Sequence, residues 1–176
     1  MKREYVFFFC NGQPIRVKGL AVLQTLSKWL RKDRQLTGTK IVCAEGDCGA
    51  CTVLLGYPSS EKIKYEAVNS CILNVHQLDG LHVITIEGLA WGDRLHPVQQ
   101  AMRDGFGSQC GYCTPGIVMA LAANVFSLAG DSDGEERTLE RLRELWPHTG
   151  ELLAALWRSL GAPGTPRELS RKPLGP

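Results

Sequence analysis

The sequence has little charge of either sign to spare and no long apolar run. Its 176 residues carry 20 Lys and Arg against 18 Asp and Glu, a net charge of +2. So small an imbalance gives no electrostatic reason to bind nucleic acid or an anionic membrane surface. Aromatic residues make up only 7% of the chain, and no base-stacking pattern accompanies the basic ones. The longest apolar stretch, IVMALAANVFSLA, falls well short of the roughly 20 residues that span a bilayer. The start, MKREYVFFFCNG, has too short an apolar run for a signal peptide and ends in Asn11-Gly12 rather than a small-residue cleavage site. No Ser-His-acid set, phosphate-binding glycine loop or metalloprotease motif is present. These absences leave a soluble, cytoplasmic chain of ordinary globular composition, long enough for one domain or two small ones.

Cysteine is also missing from a large part of the chain. Seven cysteines stand at positions 10, 43, 48, 51, 71, 110 and 113, and the 63 residues after Cys113 contain none. In the cytosol thiols stay reduced, so an uneven set of this kind points to ligands rather than disulfides.

Along the chain, YVFFFC and QPIRVKG read as two strands joined by an Asn-Gly turn, the strongest short hairpin signal. VLQTLSKWLRKD reads as a helix, with Val22, Leu23, Leu26, Trp29 and Leu30 on one face. LTGTKIVCAEGDCGAC is a Gly-containing loop leading into the strand CTVLLG, and IKYEAV and HVITIEGL read as further strands. The character changes near Gly88. LHPVQQAMRDGFG begins a helix with Pro97 in its first turn and stops at Gly105; Thr114-Pro115 supplies an N-cap and first residue for PGIVMALAANVFSLAG. EERTLERLREL and TGELLAALWRSLG read as two more helices, broken at Pro147, and the Pro-rich end has little to bury. The fold class is therefore α+β: a sheet-rich domain over residues 1–88, a helical domain over 89–160, and a disordered tail over 161–176.

Cys43-x4-Cys48-x2-Cys51, followed by Cys71, has the plant-type spacing for a [2Fe–2S] cluster. A compact iron–sulfide core takes three thiolates from one tight loop and a fourth from elsewhere, and Gly46 and Gly49 let the backbone wrap it. Zinc also accepts four thiolates, but zinc ribbons pair two short cysteine hairpins, and Cys71 stands alone. Cys10, in the apolar strand of the hairpin, reads as a core cysteine.

LTGTK, CAEGDCGACTVLLG, AVNSCI, QLDG, ITIEGLA, LHPVQQAM and SQCGYCTPGIVMA together resemble the iron–sulfur part of the molybdenum hydroxylases, in particular the bacterial xanthine dehydrogenase small subunit. The resemblance runs from about residue 5 to residue 126. It implies a β-grasp ferredoxin-like domain with one cluster on Cys43, Cys48, Cys51 and Cys71, then a helical-bundle [2Fe–2S]-binding domain with Cys110 and Cys113 as half of a second ligand set. It places Gln109 against the pterin. It also implies a large partner subunit with molybdopterin and a subunit or domain with FAD, with electrons passing from the first to the second through the clusters. This subunit would itself make and break no substrate bonds.

The chain departs from that pattern in one respect. The family's second pair is a Cys-x-Cys on a helical hairpin, whereas the corresponding ELWPHTGELLAALWRSLGAP has no cysteine. His148 offers one nitrogen at most and reads as a surface histidine. The second cluster is lost, or another subunit supplies the ligands, or the chain leaves its ancestral reading frame after about residue 130. Two other functions stand beside the leading one: a standalone ferredoxin-like carrier, and a non-redox interaction module stabilised by zinc.

Overall fold

The computed structural model describes residues 3–58, 63–90 and 92–128. The helices expected over EERTLERLREL and TGELLAALWRSLG, and the tail, lie outside these residues. β1 (Val6–Cys10) and β2 (Gln13–Val17) form the expected antiparallel hairpin, with Cys10 opposite Gln13. Asn11 and Gly12 both take positive φ, 50° and 76°, the twist that a two-residue hairpin turn requires. The Asn11 amide accepts from the Thr85 N–H at 2.9 Å and donates to the Thr85 hydroxyl at 2.9 Å. This ties the hairpin tip to the segment that leaves β5 (His82–Ile84).

With β3 (Thr52–Pro58) and β4 (Ile63–Asn69), the sheet has the order β2-β1-β5-β3-β4. β1 and β5 run parallel, and every other pairing is antiparallel. HVITIEGL gives only a short strand because the Thr85 N–H is taken by Asn11 and the chain then turns into a 3₁₀ turn at Ile86–Leu89.

The two sheet faces have different coverings. On one lies α1 (Leu26–Lys32), whose Leu26, Trp29 and Leu30 pack with Phe8, Cys10, Val53, Leu55 and Val83. Phe8 and Trp29 meet edge-on with centroids 5.4 Å apart. This helix begins later than its apolar pattern predicts. Residues Gly19–Leu23 form a separate 3₁₀ turn with Leu23 exposed. The intervening backbone pairs with the segment after Cys71 instead: the Val75 N–H donates to Gln24 O and the Leu26 N–H to Leu73 O.

On the other face, Leu54 packs with Val98, Ala101 and Met102 of α2 (Pro97–Asp104) and with Val118, Met119, Leu121 and Ala122 of α3 (Thr114–Leu128). β3 is thus buried from both sides, Val53 and Leu55 toward α1 and Leu54 toward α2 and α3. Pro97 opens α2 as expected, its start capped by reciprocal His96 and Gln99 bonds. α3 starts one residue earlier than expected: Thr114 is already helical, and the Cys113 carbonyl accepts from the Ile117 N–H at 3.1 Å. Among the described residues no helix is long and apolar enough to cross a membrane.

Candidate metal centre

The loop between α1 and β3 is held at its entry from two sides. The Arg31 guanidinium donates to the carbonyls of Thr37 and Thr39 at 2.6 and 2.8 Å, and the Gly38 N–H donates to the Glu87 carboxylate at 2.7 Å. Further along, Ala44, Gly46 and Gly49 take positive φ of 60°, 87° and 71°. Left-handed residues within a tight loop turn successive N–H groups inward, which makes a concavity suited to an anion. Here the inward groups meet sulfur. The Cys48 N–H donates to Cys43 Sγ at 3.5 Å. Hydrogen bonds from the backbone N–H groups of Cys48 and Glu45 lead the causes that bring the Cys43 thiol down to about 6, favouring the thiolate that binds metal.

Cys71 arrives from outside the loop, two residues beyond β4, and its neighbours tie it in. The Asn69 amide donates to Gly46 O and its oxygen accepts from the Thr52 hydroxyl at 3.4 Å. The single proton of that hydroxyl is shared with Gly49 O, the nearer acceptor at 2.6 Å. The Ser70 hydroxyl and N–H both donate to Cys51 O, at 2.6 and 3.3 Å. Burial, first, and then the neighbouring Cys51 thiol push Cys71 up to about 11.

The result is four cysteines arranged as two pairs. Cys43 and Cys48 are brought together by the Cys48 N–H bond to Cys43 Sγ, and Cys71 is held beside Cys51 by the two bonds from Ser70 to Cys51 O. Among the described residues no three His, Cys, Asp or Glu side chains converge to hold one metal ion. Two pairs suit a different chemistry: two irons with two thiolates each, which is the ligand count of a [2Fe–2S] core. A single zinc takes all four thiolates around one point. The pairs also differ in exposure. Cys51 and Cys71 are only 2% and 5% exposed, whereas Cys48 faces solvent. Residues Ser27 and Thr39 each bury a hydroxyl without a partner, and both are joined to the cysteine segments by backbone bonds, Ser27 to Ser70 directly and Thr39 through Lys40 to Ala50.

The second set has a different setting. Gln109, Cys110 and Cys113 are all exposed. The loop carrying them turns at Gly111 (φ 81°) and is closed by a 2.9 Å bond between the Ser108 and Thr114 hydroxyls. Phe106, 90% exposed, is held at φ 50° where the chain leaves α2. Cys10, the seventh cysteine, is buried under α1 with its thiol pushed up to about 11 by that burial.

The two sets are joined by one close approach. Gly116, in the first turn of α3, is buried against the first loop, and a Cβ there would lie 2.2 Å from Gly49 O and 3.0 Å from Ala50 Cα. Spacing alone brought forward the cysteines and the loop glycines. It gave no signal for Thr52, Asn69, Ser70 or Gly116, whose roles depend on partners distant in the chain.

Residues 85–143 match the family described as "[2Fe-2S] binding domain". The chain is 45% identical over 122 residues, 68% of its length, to a xanthine dehydrogenase of Emericella nidulans. It is 42% identical over 121 residues, 67% of its length, to aldehyde oxidase 3 of Rattus norvegicus. Each match covers 9% of the relative, so the chain spans less than a tenth of the length of these curated relatives. Among solved structures, quinoline 2-oxidoreductase from Pseudomonas putida 86 superposes with a TM-score of 0.67 at 26% identity, covering 86% of this chain and 89% of that one. The aldehyde oxidoreductase from Desulfovibrio desulfuricans superposes with a TM-score of 0.68 at 28% identity, covering 97% of this chain and 18% of that one.

Proposed function

We propose that this chain, an iron–sulfur region of the xanthine dehydrogenase and aldehyde oxidase type, carries electrons through a [2Fe–2S] cluster held by Cys43, Cys48, Cys51 and Cys71. The observation that carries the reading is a loop folded by left-handed residues to turn an N–H onto Cys43 Sγ, with the Cys71 segment tied to it by Asn69 and Ser70. When bound, the cluster supplies a centre that accepts and releases one electron at a time. The chain's own residues do the rest. The inward N–H groups stabilise negative sulfur, and Asn69 and Ser70 fasten the fourth ligand to the other three. Burial of Cys51 and Cys71 keeps water from one side. Cys48 is exposed on the other side, and Val42 and Ile72, each one residue from a cysteine of the set, are exposed at 57% and 60%, apolar surface on which a redox partner can dock.

In this reading residues 1–88 form a β-grasp ferredoxin-like domain and residues 89–160 a helical [2Fe–2S]-binding-type domain. Electrons come from the molybdopterin centre of a large partner subunit and leave toward FAD on another. In the same reading Gln109, exposed beside Cys110, meets the pterin. The compartment is the cytoplasm, where these thiols stay reduced.

The test is EPR of the anaerobically purified, dithionite-reduced full chain, with iron and sulfide counted on the same sample. A [2Fe–2S] signal lost in Cys71→Ser supports the reading. Stoichiometric zinc with no signal replaces it with the zinc-stabilised interaction module, and a loaded chain that copurifies with no molybdopterin subunit leaves a standalone carrier.

A further inference from the structure

The match to a [2Fe-2S] binding domain covers residues 85–143, yet that stretch contains only Cys110 and Cys113, and residues 114–176 contain no cysteine. A closed cluster takes four ligands, ordinarily four thiolates. No other cysteine can make up the number. Cys43, Cys48, Cys51 and Cys71 belong to the first loop and the segment tied to it by Asn69 and Ser70, and Cys10 lies in the core under α1, on the sheet face opposite α2 and α3. His96 already accepts from the Val98 N–H as the cap of α2, and His148, the one histidine beyond it, would leave the set incomplete. The donor set of this chain therefore does not fit a second [2Fe–2S] cluster.

The local structure shows what is left in its place. Both thiols are exposed. They sit in a loop closed by the Ser108–Thr114 bond and anchored through α3, whose first turn rests on the Gly49–Ala50 backbone. Such a loop has no need of metal to hold its shape, and it presents its sulfurs to solvent. We infer that Cys110 and Cys113 form an accessible half-site: one chain closes no [2Fe–2S] cluster there, and the two thiols stay open to soft electrophiles and thiophilic metal ions while the other four ligands are occupied. The inference rests on the proposed cluster at the first set, which supplies the protected thiols for comparison.

The experiment uses the full chain, purified anaerobically with its iron. Iron and sulfide are counted, the folded protein is treated with iodoacetamide, and modified cysteines are mapped by mass spectrometry. The expected result is iron and sulfide for one [2Fe–2S] cluster per chain, alkylation at Cys110 and Cys113, protection of Cys43, Cys48, Cys51 and Cys71, and an unchanged EPR signal after treatment. A Cys110→Ser, Cys113→Ser double variant should keep the same iron content while losing the alkylation. Iron for two clusters, protection of Cys110 and Cys113, or a fall in iron in the double variant would each overturn the inference while leaving the first cluster standing. A chain with no iron, alkylated equally at the first set, would overturn the proposed function and with it the contrast in protection.

Discussion

The two cysteine loops of this chain resemble each other in sequence more than in structure. Both are rich in glycine, both carry a Cys-x2-Cys pair, and both have left-handed residues that turn the backbone. The first is fastened at nearly every step: Arg31 and Glu87 at the entry, Asn69 and Thr52 on its glycine carbonyls, and Ser70 on Cys51. Among the described residues the second is fastened at its ends, by the Ser108–Thr114 bond and by the seating of Gly116. A ligand loop becomes a site when residues outside it satisfy its backbone and bring the missing ligands. The first loop receives its missing ligand from the segment after β4 and its backbone partners from α1, β3, Glu87, Asn69 and Ser70; the second receives neither from the described residues.

Substitutions that erase or exaggerate this contrast should have effects of decreasing size. The largest comes from removing the ligand delivered just beyond β4. Cys71→Ser should abolish the reduced-cluster EPR signal and most of the bound iron, whereas Cys113→Ser should leave both near the wild-type level. Next is Gly116→Ala, which sets a methyl against the Gly49 carbonyl, with backbone on both sides of the contact. Such overpacking costs about 1–3 kcal/mol, measurable as a lower urea midpoint, and displacement of Gly49 should also change the g-values of the first cluster.

Asn69→Asp is a more selective change, since the carboxylate keeps the acceptor but cannot donate to Gly46 O. One lost hydrogen bond is worth about 1 kcal/mol, so iron release to a chelator should quicken while the global midpoint moves little. Asn69→Ala should behave the same way, and a rate equal to wild type in both would show that the clamp on Gly46 is unimportant. The smallest effect belongs to the second loop. Phe106 occupies a left-handed position usually given to glycine after a helix, with its ring in solvent. Phe106→Gly should leave stability unchanged or raise it by up to about 1 kcal/mol, read as a small rise in Tm with no change at the cluster.

Much of the first region was legible because local chemistry determines it. Asn11-Gly12 announced a turn that needs two positive φ angles, and the spacing of Cys43, Cys48 and Cys51 marked a loop that wraps something small. The short apolar run of β3 was readable as a strand, but nothing in it said that Val53 and Leu55 would face one layer and Leu54 another. Errors arose where a distant partner outbid a local pattern. The helix predicted from Val22 starts at Leu26 because Gln24 and Leu26 pair with the Leu73–Val75 segment, and the strand predicted through Thr85 stops there because Asn11 takes its N–H. Asn69 and Gly46 are 23 positions apart, beyond any periodicity, and Gly116 looked like an ordinary glycine in a first turn. Its helical backbone does not ask for glycine; only the closeness of Gly49 does.

That closeness, together with the seat of α3 on Leu54 and Tyr65, bears on what this chain can discard. A helix that served a cofactor alone would become dispensable once the cofactor was gone, and its sequence could drift. α3 is also part of the wall of the first loop and the lid over β3. Stripping it away would uncover an apolar strand and leave the Gly49–Ala50 turn without a neighbour. Were the two sulfurs to hold no cluster, the start of α3 would still be kept in place by the architecture it supports, as a doorway stays in a wall after the room behind it has been closed.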